Sequence, residues 1–265
     1  MESSSVLHSA KSSTIKIPIN YTQYVLCGQD YKINDNITLH NPTLNEILIE
    51  NSEERYMQLV NLLTMRPYDD MVTLDDEGLN YLDFTDYDIF LKNYKFFTPE
   101  LSSIILGDLN LSEFVLAKNK LNDNVVLLNE HNGIIVDEIV FSTIASYVRA
   151  INFISSKIEY DVGNEVARRE LIKKQRRAIK RQLKKPKNTT SILSNMISLL
   201  CSSNYCKYDY NTIMDLKISQ LYDNYYRMSM IDERERYLNI LSSGFVKIEH
   251  KDNSKLNWLR DLREE

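Results

Sequence analysis

Apolar residues recur at helical spacing along most of the chain and change to alternation or short runs in only two places. Between Ile15 and Leu39, the stretches TIKIPIN and YKINDNITLH alternate, which predicts one or two short strands. Thr43 followed by Glu46 three residues later forms a capping box just after Pro42, and Leu44, Ile47 and Leu48 give the first apolar turns. Tyr56, Leu59, Val60 and Leu63 continue at helical spacing up to Pro67, with Asn51-Ser52 as a dividing point. Residues 86–106 read as helix into helix, started again by Thr98-Pro99-Glu100 and stopped at Gly107. The second change of pattern is NVVLLNEHNGIIV. Val125 to Leu128 is expected to pair with Ile134 to Val136 across a turn holding Asn132-Gly133.

Asp137 to Lys157 then predicts a strongly amphipathic helix through Ile139, Ile144, Tyr147, Val148, Ile151 and Ile154. Helical patterns follow at Ile192 to Leu200, over 211–244 with Gly244 as the stop, and near Leu256 to Leu262. These elements predict an α+β fold that is predominantly α-helical. It has a small N-terminal β element, a β-hairpin near 125–136, one long basic helix and a helical C-terminal part. The expected organisation is a disordered tail over 1–14, an N-terminal α+β domain over 15–160, a basic helical connector over 161–188 and a helical domain over 189–265.

Charge changes the picture at one place. Arg168 to Lys187, RRELIKKQRRAIKRQLKKPK, holds eleven Lys or Arg and one Glu in a chain whose net charge is −5. Outside that run, 21 basic residues face 36 acidic ones. As a helix, the run carries a thin apolar seam of Ile172, Ile179 and Leu183. Arg168, Arg169, Lys173, Lys174, Arg176, Arg177, Lys180, Arg181, Lys184 and Lys185 cover the rest. Like charges at i, i+4 repel, so a counter-charge is expected.

The obvious internal source is the stretch 69–88, which has eight acidic residues and no Lys or Arg. These are Asp69, Asp70, Asp75, Asp76, Glu77, Asp83, Asp86 and Asp88. Its apolar residues (Met71, Leu74, Leu79, Tyr81, Phe84, Tyr87) still suit packed helices. Other partners for the basic run are a second copy of the chain, another acidic protein, or nucleic acid. The run contains no aromatic residue, which disfavours base stacking. It lacks the bulky apolar anchors of a membrane-surface helix.

The chemistry-bearing residue types are sparse. Three cysteines (Cys27, Cys201, Cys206) indicate a reducing compartment without a disulfide framework. Cys201 and Cys206 are the only close pair, and the four histidines (8, 40, 131 and 250) lie away from it, so no zinc site is expected. No nucleophile elbow, phosphate loop, zinc-protease or dinucleotide motif occurs, which predicts a non-enzymatic chain without a cofactor. Mean hydropathy is −0.36 and no apolar run reaches the length of a membrane span. Trp258, among Leu256, Leu259 and Leu262, is expected to anchor the last helix to the core or to an interface.

Several stretches carry a family resemblance. IKIPIN, NPTLNEI and LLTMRP near the start, DDEGLNYLDFTDYDIFL and ILGDLNLSEFVL in the middle, and YDYNTIMDLKISQLYDNYYRM and LNWLRDL near the end are the stretches concerned. Together they resemble a tail-region morphogenesis family of tailed bacteriophages of Gram-positive bacteria. Met214 stands where that family often has an aromatic residue. The resemblance implies a virion-assembly protein, either a tail assembly chaperone or a minor component of the tail or baseplate. It implies phage tail or other virion proteins as partners, and a place in the host bacterial cytoplasm or in the virion. It supplies no catalytic residues.

Overall fold

A computed structural model describes residues 17–119, 123–155, 164–184, 191–204 and 206–243. The fold is a mixed α+β one and mostly helical, as the periodicity predicts. Its helices are α1 (Glu53–Thr64), α2 (Met71–Asp76), α3 (Asp86–Asn93), α4 (Pro99–Leu106), α5 (Glu138–Ile151), α6 (Glu165–Lys184), α7 (Ile192–Ser202) and α8 (Ile218–Ser242). Two small antiparallel sheets accompany them. One pairs β1 (Tyr31–Lys32) with β2 (Thr38–Leu39). The other has the order β3 (Val115–Lys118), β4 (Val125–Leu128), β5 (Ile135–Val136).

Local chemistry accounts for the element starts. The Thr43 hydroxyl accepts from the Glu46 amide at 3.2 Å while the Glu46 carboxylate accepts from the Thr43 amide and hydroxyl, as a capping box requires, and a short π-helical turn, Glu46–Glu50, follows. Ser52 caps α1, Thr85 and Asp88 cap α3 reciprocally, and Thr98 caps α4 with Pro99 in its first turn. Gly107 ends α4 at φ +58°, a backbone region that favours glycine. Of the two alternating stretches, YKINDNITLH forms β1 and β2, while the described end of TIKIPIN (Ile17 to Asn20) pairs with no strand and leads into a π-helical turn, Tyr21–Leu26, capped by Asn20 and packed on α5 and α8.

The expected hairpin forms, with Leu127 opposite Val136 and Leu128 opposite Ile135. Gly133 takes φ +71°, and the Asn129 and Asn132 side chains accept from the turn amides of His131 and Ile134. Strand β3 was not legible in advance. Its residues VLAK carry no alternation, and it becomes a strand by pairing along the whole of β4. In α5 the expected stripe is partly wrong. Ile139 (60% exposed) and Ile154 lie outside, while Phe141, Ala145 and Arg149 lie inside.

One core runs from Ile37 to Tyr222 and draws on α1, α3, α4, α5, α7 and α8. At its centre Phe90 stacks on Phe141 at 4.3 Å. Leu193, Ile197 and Leu200 of α7 and Leu221 of α8 share this core with residues from before residue 160. A smaller cluster gathers Met71, Leu74, Tyr81 and Ile89 with Ile172 of α6, and the half-buried Leu171 of the same helix packs against it.

The end of α5 holds the backbone in an unusual state. Phe153 sits at φ +54°, where glycine is usual, and the Ile154 amide closes the helix on the Arg149 carbonyl at 2.9 Å. The Phe153 ring stacks on Tyr226 at 5.3 Å and lies against Tyr222 of α8. Ring contact therefore offsets a left-handed backbone that costs about 1 kcal/mol in a residue with a Cβ. The expected ordering in urea denaturation is that Phe153→Ala destabilises more than Phe153→Gly, by about 1 kcal/mol, since both lose the ring but only Ala keeps the strain. Equal losses would mean that the backbone there is unstrained.

Candidate functional site

The basic run forms α6, a 20-residue helix without glycine or proline. Its charge is graded along the axis. Glu165 stands in the first turn, and Arg181 and Lys184 in the last, each favourable to the helix dipole. Glu165 binds Arg168 at 2.7 Å and Arg169 at 3.0 Å, and Glu170 binds Lys173 at 2.8 Å. These bonds hold both carboxyls below their ordinary pKa, Glu165 chiefly through Arg168 and Glu170 through Lys173.

Ile172, with Leu171 packed beside it, and Arg176 attach α6 to the rest of the molecule. Ile172 is 5% exposed and fills the space between Met71, Leu74, Tyr81 and Ile89. One turn on, Arg176 binds Asp75 at 3.0 Å and also Asp76, both on α2. Arg168 lies near Tyr81. Burial raises the phenol's pKa and the guanidinium opposes that rise.

Magnitudes decide which attachment dominates. Burying an isoleucine side chain contributes about 1.5–3 kcal/mol. The Arg176 pair is 36% exposed on the arginine side and more on the aspartates, so screening leaves it about 0–1 kcal/mol. The apolar residue holds the helix, and the charges set where along α2 it docks.

Beyond Arg176 the seam is uncovered. Ile179 is 36% exposed and Leu183 80% exposed, although both lie on the helical line of Ile172. Lys174, Arg177, Lys180, Arg181 and Lys184 make no ion pair among the described residues. At 100° per residue Lys174, Arg177 and Arg181 fall on the face turned away from α2, while Lys180 and Lys184 lie on the flank that continues from Arg176. The helix is thus docked over its first half (Arg168 to Arg176) and open over its second (Arg177 to Lys184). Lys185 and Trp258 lie outside the described residues.

Of the eight expected counter-charges, the structure brings Asp75 and Asp76 to α6. Asp70 and Glu77 bind Lys92 of α3, at 3.3 and 2.9 Å. Burial works against the Lys92 ammonium, but those two carboxylates carry its pKa above the ordinary value. Asp69 accepts from the Arg66 amide, Asp88 caps α3, and Asp83 is exposed.

Asp86 is buried and binds Arg149 of α5 at 2.9 Å, so it belongs to the interior and offers no counter-face. Arg149 also donates to the Thr64 carbonyl, joining α1, α3 and α5. Losing one member of such a pair costs about 3–5 kcal/mol, because the other charge is left buried. Lys92 and Arg149 were missed by the sequence reading. The signal for Arg149 was its phase, one turn after Ala145 on the apolar face.

Other places offer less. An open cavity of ≈ 430 Å³ lies between α3, β4 and the start of α5. Its Asp88 and Asp137 are already engaged as helix caps. Cys27, Cys201 and Cys206 are free, and burial raises the thiol pKa of Cys201 and Cys206, which lowers their thiolate fraction. Among the described residues no group of three His, Cys, Asp or Glu is placed to hold a metal ion. Nor is any described helix long and apolar enough to cross a membrane.

Limited trypsin digestion checks the attachment of α6. Ile172→Ala is expected to speed cleavage after Arg168, Arg169, Lys173 and Lys174, in the docked half, by on the order of tenfold or more, the equilibrium effect of losing the buried side chain. Arg176→Gln is expected to change it by no more than about fivefold. The reverse order would make the ion pairs the anchor.

Residues 184–263 are similar to a protein family, matching the model described as the YomV second domain. The span begins at the last residue of α6, takes in α7 and α8, and is less than a third of the chain. No curated protein and no solved structure matches this chain.

Proposed function

We propose that this chain is a non-enzymatic bacteriophage virion-assembly protein that works through protein–protein contacts, in tail morphogenesis, in the manner of a tail assembly chaperone. The observation that carries the reading is the half-docked basic helix. Its first half is fastened by Ile172, and its second presents cations that form no ion pair among the described residues, together with the exposed Ile179 and Leu183. The phage context comes from the resemblance of the stretches between IKIPIN and LNWLRDL.

The physical case is one of reversible contact. A chaperone must take up an unassembled subunit and let it go. An exposed cationic face speeds encounter with an acidic subunit and makes the complex sensitive to salt. A seam of two apolar residues is small beside the area of a permanent interface, which favours release. A minor structural component of the tail or baseplate is the second version of the same reading, and it would require a larger buried surface. Binding of nucleic acid by Lys174, Arg177, Lys180, Arg181 and Lys184 is the alternative from another class. It predicts affinity that falls steeply with salt.

Deleting the coding sequence from the phage or prophage genome that carries it tests the proposal. The expected outcome is a lysate depleted of tailed particles, with the protein present in infected cells and absent from purified virions of the parent phage. Its presence in virions at fixed stoichiometry would select the structural version. Normal yields of intact tailed particles would remove the assembly reading altogether.

A further inference from the structure

The partner's chemistry can be taken further, resting on the reading of α6 as a contact helix. We propose that the open half of α6 binds an acidic amphipathic helix of a partner protein, in the same way that its docked half binds α2. The molecule contains the template. Met71 and Leu74 of α2 receive Ile172, and Asp75 and Asp76 beside them take Arg176. One apolar stripe with carboxylates along one flank is therefore already complementary to this helix.

The same pattern repeats toward Lys184. Ile179 and Leu183 continue the line of Ile172 at spacings of seven and eleven, so the stripe extends ~16 Å past it at 1.5 Å per residue. Lys180 follows Arg176 by four residues and Lys184 follows Lys180 by four, which keeps cations along the same side of the stripe. Gln175 and Gln182 line the opposite side. A partner helix would thus carry its acids along one edge of its apolar stripe.

The stripe also separates the partner classes. A polyanion such as duplex DNA would use the cations but leave Leu183, 80% exposed, in water. An acidic amphipathic helix uses both. Charge complementarity alone would serve either partner, and the uncovered leucine and isoleucine favour protein.

Fluorescence anisotropy with the full chain provides the test. One probe is a labelled helical peptide of four turns bearing a leucine stripe flanked by glutamates. A second has serine in place of each leucine, and a third is a labelled DNA duplex. The leucine peptide is expected to bind at least about tenfold tighter than the serine peptide, one pocketed leucine being worth that factor. The double variant Ile179→Ser, Leu183→Ser should remove the difference, and Leu183→Ser alone should reduce it while leaving the thermal melt unchanged, since Leu183 is 80% exposed. Lys180→Glu with Lys184→Glu should weaken the leucine peptide further.

Equal affinity for the two peptides, no binding of either, or insensitivity to the serine variant would overturn the inference. Tighter binding of DNA that ignores Leu183 would overturn it in favour of nucleic acid. None of these failures bears on the particle yield of the deletion phage, so this inference and the assembly reading can fail separately.

Discussion

Asn41 is the fixed point on which the described fold closes. Its side chain is fully buried and donates to the Tyr24 carbonyl at 3.0 Å and to the Ser219 hydroxyl at 2.9 Å. Ser219, also fully buried, passes a bond on to the Val25 carbonyl. Around them the Leu44 amide bonds the Leu216 carbonyl and the Ile218 amide bonds the Pro42 carbonyl, both at 2.9 Å. Each bond contributes about 1 kcal/mol net, but a buried donor stripped of its partner would cost about 1–3 kcal/mol. The first turn of α8 is therefore locked onto residues 24–44, and the core extends without a break through α5, α7 and α8.

That closure explains why α6 stands apart. Its neighbours in sequence, α5 and α7, are both committed to the main core. The helix between them has one apolar residue below a tenth exposure and joins only the small cluster around Met71 and Leu74. Its cations repel one another along the outward face, and Glu165 and Glu170 form ion pairs with Arg168, Arg169 and Lys173 of its first turns. The uncompensated charge is concentrated where the apolar seam is uncovered. What this helix offers the proposed partner is charge and a shallow apolar ridge.

Much of this was legible in the chain. Helix starts marked by Thr43 with Glu46 and by Thr98-Pro99 follow from short-range hydrogen bonding, which local sequence determines. The Asn132-Gly133 turn is equally local. Partner choice between distant elements was not legible. Composition put Asp86 on an acidic face, whereas burial and Arg149 put it inside. Lys92 captured Asp70 and Glu77, and nothing in its own neighbourhood of sequence announced it. The seam of α6 was visible as spacing, but spacing could not say that α2 would cover Ile172 and stop short of Ile179. Strand β3 escaped for the same reason, since its only claim to be a strand is its partner.

The central claim is that one helix is docked at one half and open at the other. Amide hydrogen exchange resolved along residues 165–184 tests it most directly. The account predicts slow exchange from Arg168 to Arg176 that persists at high salt, because Ile172 holds that half. It predicts exchange at least about tenfold faster from Arg177 to Lys184, where no side chain is buried as Ile172 is. Uniform slow exchange along the whole helix, or fast exchange that begins at Arg168, would contradict it.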